Sequence, residues 1–535
     1  MLPNIAIPHH SGLGQLAIFP LDVLRLILLE AGGRTVRVLS SGLKRLFDES
    51  NTNLSLFGPE SQPSDNSYEY LISNIIRSSR ALLTFEVWNH QPSAVLNFVP
   101  LLAATQTGLS HFRLRCKNLG PAGFTSLAPS LMALTGLQSL ILNENGLKAA
   151  GAEALRPALL AMTRLQTLVL SDNDINSAGA AALAPAFAVS TGLISLDLSF
   201  NNIGSVGMKA LAPSLEKLTG LTRLGLFKNE LYSDGATSLK SCLVALTGLC
   251  SLNLGINYFG PAGVVSLAPS LKLVTGLTEL DFQSNGMGPE GAALFASALM
   301  ALTRLRYLTI SDSHIGPIGA ASLAPSLKLL TGLDYLDISG NNIGSDGSGS
   351  LAPSLSVLTG LHQLYMSNNG IKPPGAASLA PSLRALTGLG ILDISNNDIG
   401  PAGAASLAPS FFMLMRLYVL KLSHNDLGPA GAAAFAPALM MMTRLLNLDL
   451  DGNDIGSAGA ASLAPSLAVL TRLRSLNLSQ NNLGPDGTAS LTPSLLALNQ
   501  LCLLHFQHNN LGPASTASLA SSLKALKGLR MLEIY

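Results

Sequence analysis

The histidines and glycines of this sequence lack the spacings that catalytic and phosphate-binding sites require. The nine histidines are scattered, with His505 and His508 in one stretch and His424 in an earlier one, and a histidine metal site is the weaker alternative. No GxxxxGK[ST] phosphate loop occurs, and the many glycines recur at one fixed position, which is typical of turns. We therefore predict that the protein is not an enzyme and needs no cofactor or metal.

Three tyrosines are the best candidates for binding, and they fall in three successive stretches of similar sequence: Tyr307, Tyr335 and Tyr365. Tyrosine and arginine are frequent at the centres of protein interfaces, where a rigid ring with a polar tip contributes much of the affinity. The charged residues beside the tyrosines are Arg306, Asp334 and Asp337. These six residues form the candidate site for a protein ligand.

An aspartate also recurs at one position of the pattern: Asp197, Asp281, Asp337, Asp393 and Asp449. Other residue types interrupt the series. A solvated consensus position explains this column better than a dedicated acidic site does.

Leucines divide the chain into repeats that position these residues. The first leucine recurs every 28 residues without a slip from Leu109 to Leu529, which gives fifteen full units and a final strand. Each unit opens with L-x-x-L-x-L-x-x-N, and leucines such as Leu196 and Leu198 have the two-residue spacing of a strand. A short parallel strand is predicted in every unit.

The asparagine of this pattern, for example Asn201, is missing only at Lys117 and Ser313 among the fifteen units. Its side chain can bond the backbone of its own unit and of the neighbouring unit. Each such bond contributes roughly 1 kcal/mol, and an unpaired buried amide costs more. We expect these asparagines to hold the turns together.

The second half of each unit is predicted to be helical. Leu127, Leu131 and Leu134 are spaced i, i+4 and i+7, as on one face of a helix, and a preceding glycine allows a tight turn. A recurrent proline such as Pro129 leaves two arrangements open. Either the proline lies inside a kinked helix, or a short turn precedes a helix that begins at the proline.

A 28-residue unit of strand, asparagine turn and helix resembles the ribonuclease-inhibitor-like leucine-rich repeats, over residues 109–535. The resemblance implies an α/β leucine-rich-repeat solenoid, a horseshoe with a parallel sheet on its concave face and helices outside. Neighbouring units would bury one another's apolar faces. The tyrosines would then lie on the concave face.

Before the repeats, Phe19 to Leu28 reads FPLDVLRLIL and resembles the opening of an F-box. That family docks onto the adaptor subunit of a cullin-RING ubiquitin ligase, and the resemblance gives the adaptor-binding positions as Pro20, Leu24, Ile27 and Leu28. Phe19 stands where leucine is usual, and two glycines, Gly32 and Gly33, break the middle of the motif. The alternative is an amphipathic pair of capping helices.

The predicted organisation has five parts: an N-terminal tail (1–18), an F-box-like helical segment (19–58), a linker rich in Ser, Pro and Asp (59–67), a degenerate N-terminal capping repeat (68–108) and the solenoid (109–535). Leu82, Phe85 and Val87 in the capping repeat follow the strand pattern one residue out of register.

Composition excludes several partners. The net charge is +1 and no basic run occurs, which argues against nucleic acid. No apolar run approaches the ~18 residues that a membrane span needs. The four cysteines show no disulfide or metal spacing. We expect a cytoplasmic or nuclear protein that binds neither nucleic acid nor membrane.

The favoured function is a protein-interaction scaffold that, with a functional F-box-like segment, presents its ligand to the ligase. A scaffold without ligase function, or an immune-type sensor, is the main alternative. A GTPase-activating protein of the Ran type uses the same repeats, but it carries an acidic tail that this sequence lacks.

Overall fold

A computed structural model describes residues 53–57, 84–88, 92–106, 108–117 and 119–534. Short parallel strands alternate with helices along this part of the chain. The strands are β1 (Asn53–Phe57), β2 (Thr84–Trp88), β3 (His111–Arg115), β4 (Ser139–Ile141), β5 (Thr167–Val169), β6 (Ser195–Asp197), β7 (Arg223–Gly225), β8 (Ser251–Asn253), β9 (Glu279–Asp281), β10 (Tyr307–Thr309), β11 (Tyr335–Asp337), β12 (Gln363–Tyr365), β13 (Ile391–Asp393), β14 (Val419–Lys421), β15 (Asn447–Asp449), β16 (Ser475–Asn477), β17 (Leu503–His505) and β18 (Met531–Glu533).

Helices follow the strands from β2 onward. They are α1 (Pro92–Thr105), α2 (Gly120–Ala133), α3 (Lys148–Ala161), α4 (Asn176–Phe187), α5 (Gly204–Leu215), α6 (Tyr232–Ala245), α7 (Gly260–Leu271), α8 (Gly288–Leu299), α9 (Gly316–Leu327), α10 (Gly344–Leu355), α11 (Lys372–Ala385), α12 (Gly400–Phe411), α13 (Gly428–Leu439), α14 (Gly456–Val469), α15 (Gly484–Ala497) and α16 (Gly512–Leu523). The predicted alternation of strand and helix is confirmed.

The chain forms two compact units with the same internal construction. The first ends at Ile203 and also includes Pro213–Leu221, and its strands β1 to β6 pair in parallel in sequence order. The second comprises Gly204–Ala212 and Thr222–Tyr535, and its strands β7 to β18 pair in the same way.

Residues that are 28 positions apart in the sequence pair with each other in neighbouring strands. β14 and β15 pair Leu420 with Leu448, and both leucines are fully buried. Side chains alternate along a strand, so Val419 and Lys421 lie on the side opposite to Leu420. The strand residues that alternate with the buried leucines form this opposite side. We name it the strand face. Stacking each leucine on its neighbour buries a continuous core, as a repeat architecture requires.

The recurrent asparagines form a buried hydrogen-bond ladder, as predicted. The Asn425 side-chain amide donates to the carbonyls of Ile394 in the preceding unit (2.9 Å) and of Leu422 (3.0 Å) and Ser423 (3.3 Å) in its own. Its Oδ1 accepts from the backbone N–H of Asn397 at 3.0 Å. Each asparagine therefore satisfies backbone groups that no strand ladder reaches.

Ser313 interrupts this ladder. It is fully buried, and its hydroxyl donates to Ser311 in its own unit. The backbone N–H of Asn285, which would find an acceptor in an asparagine at position 313, has no hydrogen-bond partner among the described residues. The shorter side chain therefore leaves one buried donor unsatisfied.

Replacing Ser313 with asparagine is expected to raise the free energy of unfolding by about 1 kcal/mol, because it supplies the missing acceptor. Urea denaturation followed by circular dichroism measures the change. Ser322→Asn, on the exposed side of α9, is the control and should shift the midpoint little. A lower midpoint for Ser313→Asn than for wild type would show that the site cannot hold the larger side chain.

The helix starts explain two features of the sequence. Gly400 has a φ of +62° and donates its N–H to the carbonyl of Asn425 at 2.9 Å, a conformation that glycine adopts without strain. Pro401 follows in the first helical turn, where a missing N–H costs nothing. The recurrent proline, here Pro409, lies inside α12 and is exposed. Of the two predicted arrangements, the proline within the helix is the one observed.

The N-terminal region differs from the prediction in one respect. Residues 53–57 end the segment that was predicted to be helical, but they form β1, which pairs in parallel with β2. The sequence NLSLF alternates apolar and polar residues, which favours a strand over a helix. The prediction that the strand of the capping repeat lies one residue out of register is confirmed. Phe85 of β2 pairs with Phe112, and these two residues are one position closer in the sequence than the 28-residue period. Residues 1–52 and 58–83 lie outside the described part of the chain.

Candidate functional site

The three predicted tyrosines lie together on the strand face. Tyr307 and Tyr335 are paired in register on β10 and β11, and their rings stack with centroids 4.2 Å apart and planes 18° from parallel. Tyr365 pairs with Asp337 across β11 and β12, and its ring lies 5.2 Å from that of Tyr335. We name these three residues the tyrosine ladder. A ladder of stacked, half-buried rings offers a preformed aromatic surface.

The tyrosine hydroxyls stay protonated at neutral pH. Burial raises the pKa of Tyr307 to about 12, and nearby Asp281 adds to the effect. Burial also raises the pKa of Tyr365 to about 12, and it raises the pKa of Tyr335 further. The Tyr365 hydroxyl donates to Gln363 at 3.3 Å. The ladder therefore presents neutral phenols that can donate hydrogen bonds.

The aspartate column has a local structural role. Asp281 and Asp337 each accept a hydrogen bond through Oδ1 from the backbone N–H two residues later, at 3.1 Å and 2.9 Å. Three further members of the column make the same bond: Asp197, Asp393 and Asp449. This contact fixes the turn that leaves the strand.

An amide fulfils the same role elsewhere in the column. Asn253 and Asn477 accept the equivalent backbone N–H at 3.2 Å and 3.1 Å. The turn therefore requires an acceptor and not a charge. The carboxylates beside the tyrosine ladder exceed what the fold needs.

These carboxylates are costly to ionise. Burial raises the pKa of Asp281 to about 6, and the charge of Asp337 raises it as well. Burial likewise raises the pKa of Asp337, and Asp312 and Asp393 add to this. Neither Asp281 nor Asp337 makes an ion pair with any residue in the described part of the chain. The ladder is thus flanked by two half-buried carboxylates that pair with no cation among the described residues.

Replacing Asp281 with asparagine is expected to stabilise the fold at pH 7 by about 2–3 kcal/mol, since its pKa is raised from 3.8 to about 6 and one pKa unit is worth about 1.4 kcal/mol. The folded pKa of about 6 exceeds the ordinary 3.8, so the folded wild type binds more protons than the unfolded chain between these values. Its stability therefore falls as pH rises through that window, and the variant escapes this loss. Urea denaturation at pH 7 and at about pH 4 measures the difference, which should vanish at the lower pH. Equal stability at pH 7 would contradict the burial of the charge.

The charged residues predicted beside the tyrosines have a different arrangement. Arg306 and Asp334 lie exposed in the turns before β10 and β11. Asp334 pairs with Nδ1 of His362 at 2.6 Å, and Arg306 makes no ion pair with a described residue. The sequence reasoning missed His362, which stands at the same position of the repeat, 28 residues after Asp334. The register places these two residues in neighbouring units, and the structure shows their contact.

Two of the three histidines noted in the sequence contact carboxylates. His505 pairs with Glu533 at 2.6 Å, and His424 pairs with Asp451 at 3.3 Å. Among the residues that the structure describes, no group of histidine, cysteine or acidic side chains is arranged to hold a metal ion. The proposed adaptor-binding residues lie outside the described part: Pro20, Leu24, Ile27 and Leu28.

No helix within the described ranges combines the length and the apolar character needed to cross a bilayer. The four cysteines are free thiols: Cys116, Cys242, Cys250 and Cys502.

The solved structures that are similar to this chain include the following two. An internalin (InlF) from Listeria monocytogenes is 20% identical, covers 75% of this chain and 82% of its own, and has a TM-score of 0.37. The TLR13-ssRNA13 complex is 19% identical, covers 89% of this chain and 73% of its own, and has a TM-score of 0.45. A search of curated proteins found no match.

A family comparison matches eight segments of the sequence to the Leucine Rich repeat: 161–184, 189–212, 276–296, 333–352, 389–408, 417–436, 443–464 and 469–491. The matched segments fall in the strand and helix units described above, and the same register continues between them. The repeating unit of this chain is a leucine-rich repeat, and its fold is a leucine-rich-repeat solenoid.

Proposed function

We propose that this protein is an interaction scaffold whose strand face binds a basic segment of a protein ligand at the tyrosine ladder. The observation that supports this most is the stack of Tyr307, Tyr335 and Tyr365. Two half-buried carboxylates flank it, Asp281 and Asp337, and neither pairs with a cation in the described part of the chain. Strand-face residues are free to vary, because the other positions of the repeat are occupied by packing and turns.

The tyrosine ladder supplies the contact area. Aromatic side chains bury a large surface with few torsions to immobilise, and tyrosine adds a hydroxyl for hydrogen bonding. Arginine and lysine side chains also stack on aromatic faces, with a gain of about 0.5–2 kcal/mol per contact. A basic segment would use both properties.

The aspartates select the charge of the ligand. A lysine or arginine placed against Asp281 and Asp337 would favour their ionised forms and relieve the cost of burying them. An acidic ligand would raise that cost. A site that keeps a destabilising carboxylate where an amide suffices is typical of a functional surface.

Selection of displayed random peptides on the full chain tests this function. We expect the enriched peptides to carry lysine or arginine near an aromatic residue, and to lose binding when the chain carries Tyr335→Ala. Selected peptides without basic residues, or peptides that bind this variant equally well, would refute the proposal.

The adaptor role rests on a separate observation, the motif from Phe19 to Leu28. We propose that this segment docks onto the cullin-RING adaptor through Leu24 and Ile27, so that the scaffold delivers its ligand for ubiquitination. A pull-down with the purified adaptor tests it. Wild type and Arg25→Ala should bind, and Leu24→Asp with Ile27→Asp should not; absence of wild-type binding would leave a scaffold without ligase function.

A further inference from the structure

An exposed apolar patch lies at the turn between helix and strand in two successive units. Its members are between 40% and 50% exposed: Phe412, Met413, Met415, Met440 and Met441. We name these five residues the methionine rim. It occupies the helix ends, a different part of the repeat from the tyrosine ladder.

The rim departs from the pattern of neighbouring repeats. In the flanking units the two equivalent positions hold Arg384–Ala385 and Ala468–Val469, and in every other unit from residue 109 onward at least one of the two residues is small or charged. In the rim both positions hold large apolar side chains in two units in succession. Met415 also stands where most units have threonine. Core packing does not require these side chains, because Phe411, Leu414 and Met442 already fill the buried positions of these units.

A row of arginines borders the rim. Arg416, Arg444 and Arg472 are exposed and recur 28 residues apart in three successive units. None of them makes an ion pair with any residue that the structure describes. The three adjacent helices α12, α13 and α14 contain no charged residue. The rim and its border therefore combine an apolar surface with uncompensated positive charge.

We propose that the methionine rim docks an acidic amphipathic helix of a partner protein. Methionine side chains are flexible and polarizable, and surfaces rich in them accommodate the apolar face of a helix. The arginine row would pair with glutamate or aspartate on the flank of that helix, since guanidinium and carboxylate groups match in shape and charge.

An anionic membrane surface is the other ligand that would match an apolar surface bordered by arginines. The number and type of the charges argue against it. Three arginines contribute about 1 kcal/mol each at such a surface, which is marginal without a deeper apolar anchor. The cations are all arginines, the residue type suited to bidentate pairing with carboxylates. A protein helix therefore fits the surface better.

Synthetic 20-residue peptides provide the test on the full chain. The first has leucines on one helical face and glutamates on its flanks, the second has the same composition in scrambled order, and the third replaces glutamate with lysine. We expect the first to bind with a Kd in the micromolar range and the other two at least tenfold more weakly. Methyl resonances of labelled Met413, Met415, Met440 and Met441 should shift with the first peptide alone.

Matched variants locate the site. Arg416→Glu with Arg444→Glu should weaken binding of the acidic peptide about tenfold or more, and Met413→Ser with Met441→Ser should do the same. Lys328→Glu with Leu329→Ser, at the equivalent positions of an ordinary unit, should leave the affinity unchanged. Equal binding of the scrambled peptide, or binding of phosphatidylserine vesicles without binding of the acidic peptide, would overturn the proposal.

Discussion

Replacing Asn425 with alanine is expected to lower the free energy of unfolding by about 3–5 kcal/mol, because each of two lost hydrogen bonds is worth about 1 kcal/mol and one buried donor left unpaired costs about 1–3 kcal/mol. The variant removes one of two asparagine donors from each of the carbonyls of Ile394 and Leu422. It also leaves the backbone N–H of Asn397 without its acceptor. The loss falls on two adjacent units, because the side chain of Asn425 bridges them.

Hydrogen exchange gives the most local measurement of this effect. Peptides that cover residues 394–425 should exchange faster in Asn425→Ala, and the urea midpoint of the whole chain should fall. Asn499→Ala is the matched control, since Asn499 is exposed and its side chain makes no hydrogen bond with a described residue. Equal exchange in Asn425→Ala and wild type would mean that the ladder contributes little.

Replacing Tyr335 with alanine is expected to weaken binding of a selected basic peptide about 30- to 100-fold, because truncation of a central interface aromatic costs about 2–3 kcal/mol. Tyr335 is the middle ring and contacts both Tyr307 and Tyr365. Its loss removes its own contact area and the support of the two other rings. Fluorescence anisotropy with a labelled peptide measures the change.

Two controls separate this effect from unfolding. Tyr335→Phe keeps the ring and should bind within about threefold of wild type. Tyr258→Ala removes a tyrosine that is 51% exposed and lies outside the ladder, and it should bind normally. If Tyr258→Ala were as weak as Tyr335→Ala, the ladder would not be the binding site.

The regular part of the fold could be predicted because the leucine spacing and the recurrent asparagine indicate the same repeat. The leucine spacing sets the strand register, and the recurrent asparagine needs a partner in the neighbouring unit. The position of Pro409 could not be predicted, because proline is favoured at a helix start and disfavoured in its interior, while tertiary packing holds the helix through it. β1 was predicted as helix because the resemblance outweighed the alternation of Leu54 and Leu56 in its sequence.

The candidate site was predictable in part. The tyrosines of β10 and β11 share a register position, so their contact follows from the period. The partial burial of Asp281 and Asp337 does not follow from the period. The burial of a strand-face carboxylate depends on the size of its neighbours across several strands. The pairing of Asp334 with His362 required side-chain geometry as well as register.

The most direct test of the binding account compares affinity and stability in one variant. Asp281→Asn with Asp337→Asn keeps both turn acceptors and removes both charges. Titration calorimetry with a selected basic peptide at pH 7 should show affinity at least tenfold weaker than wild type, while urea denaturation shows a fold at least as stable. Unchanged peptide affinity in this variant would contradict the assignment of the tyrosine ladder and its aspartates as the site for a basic ligand.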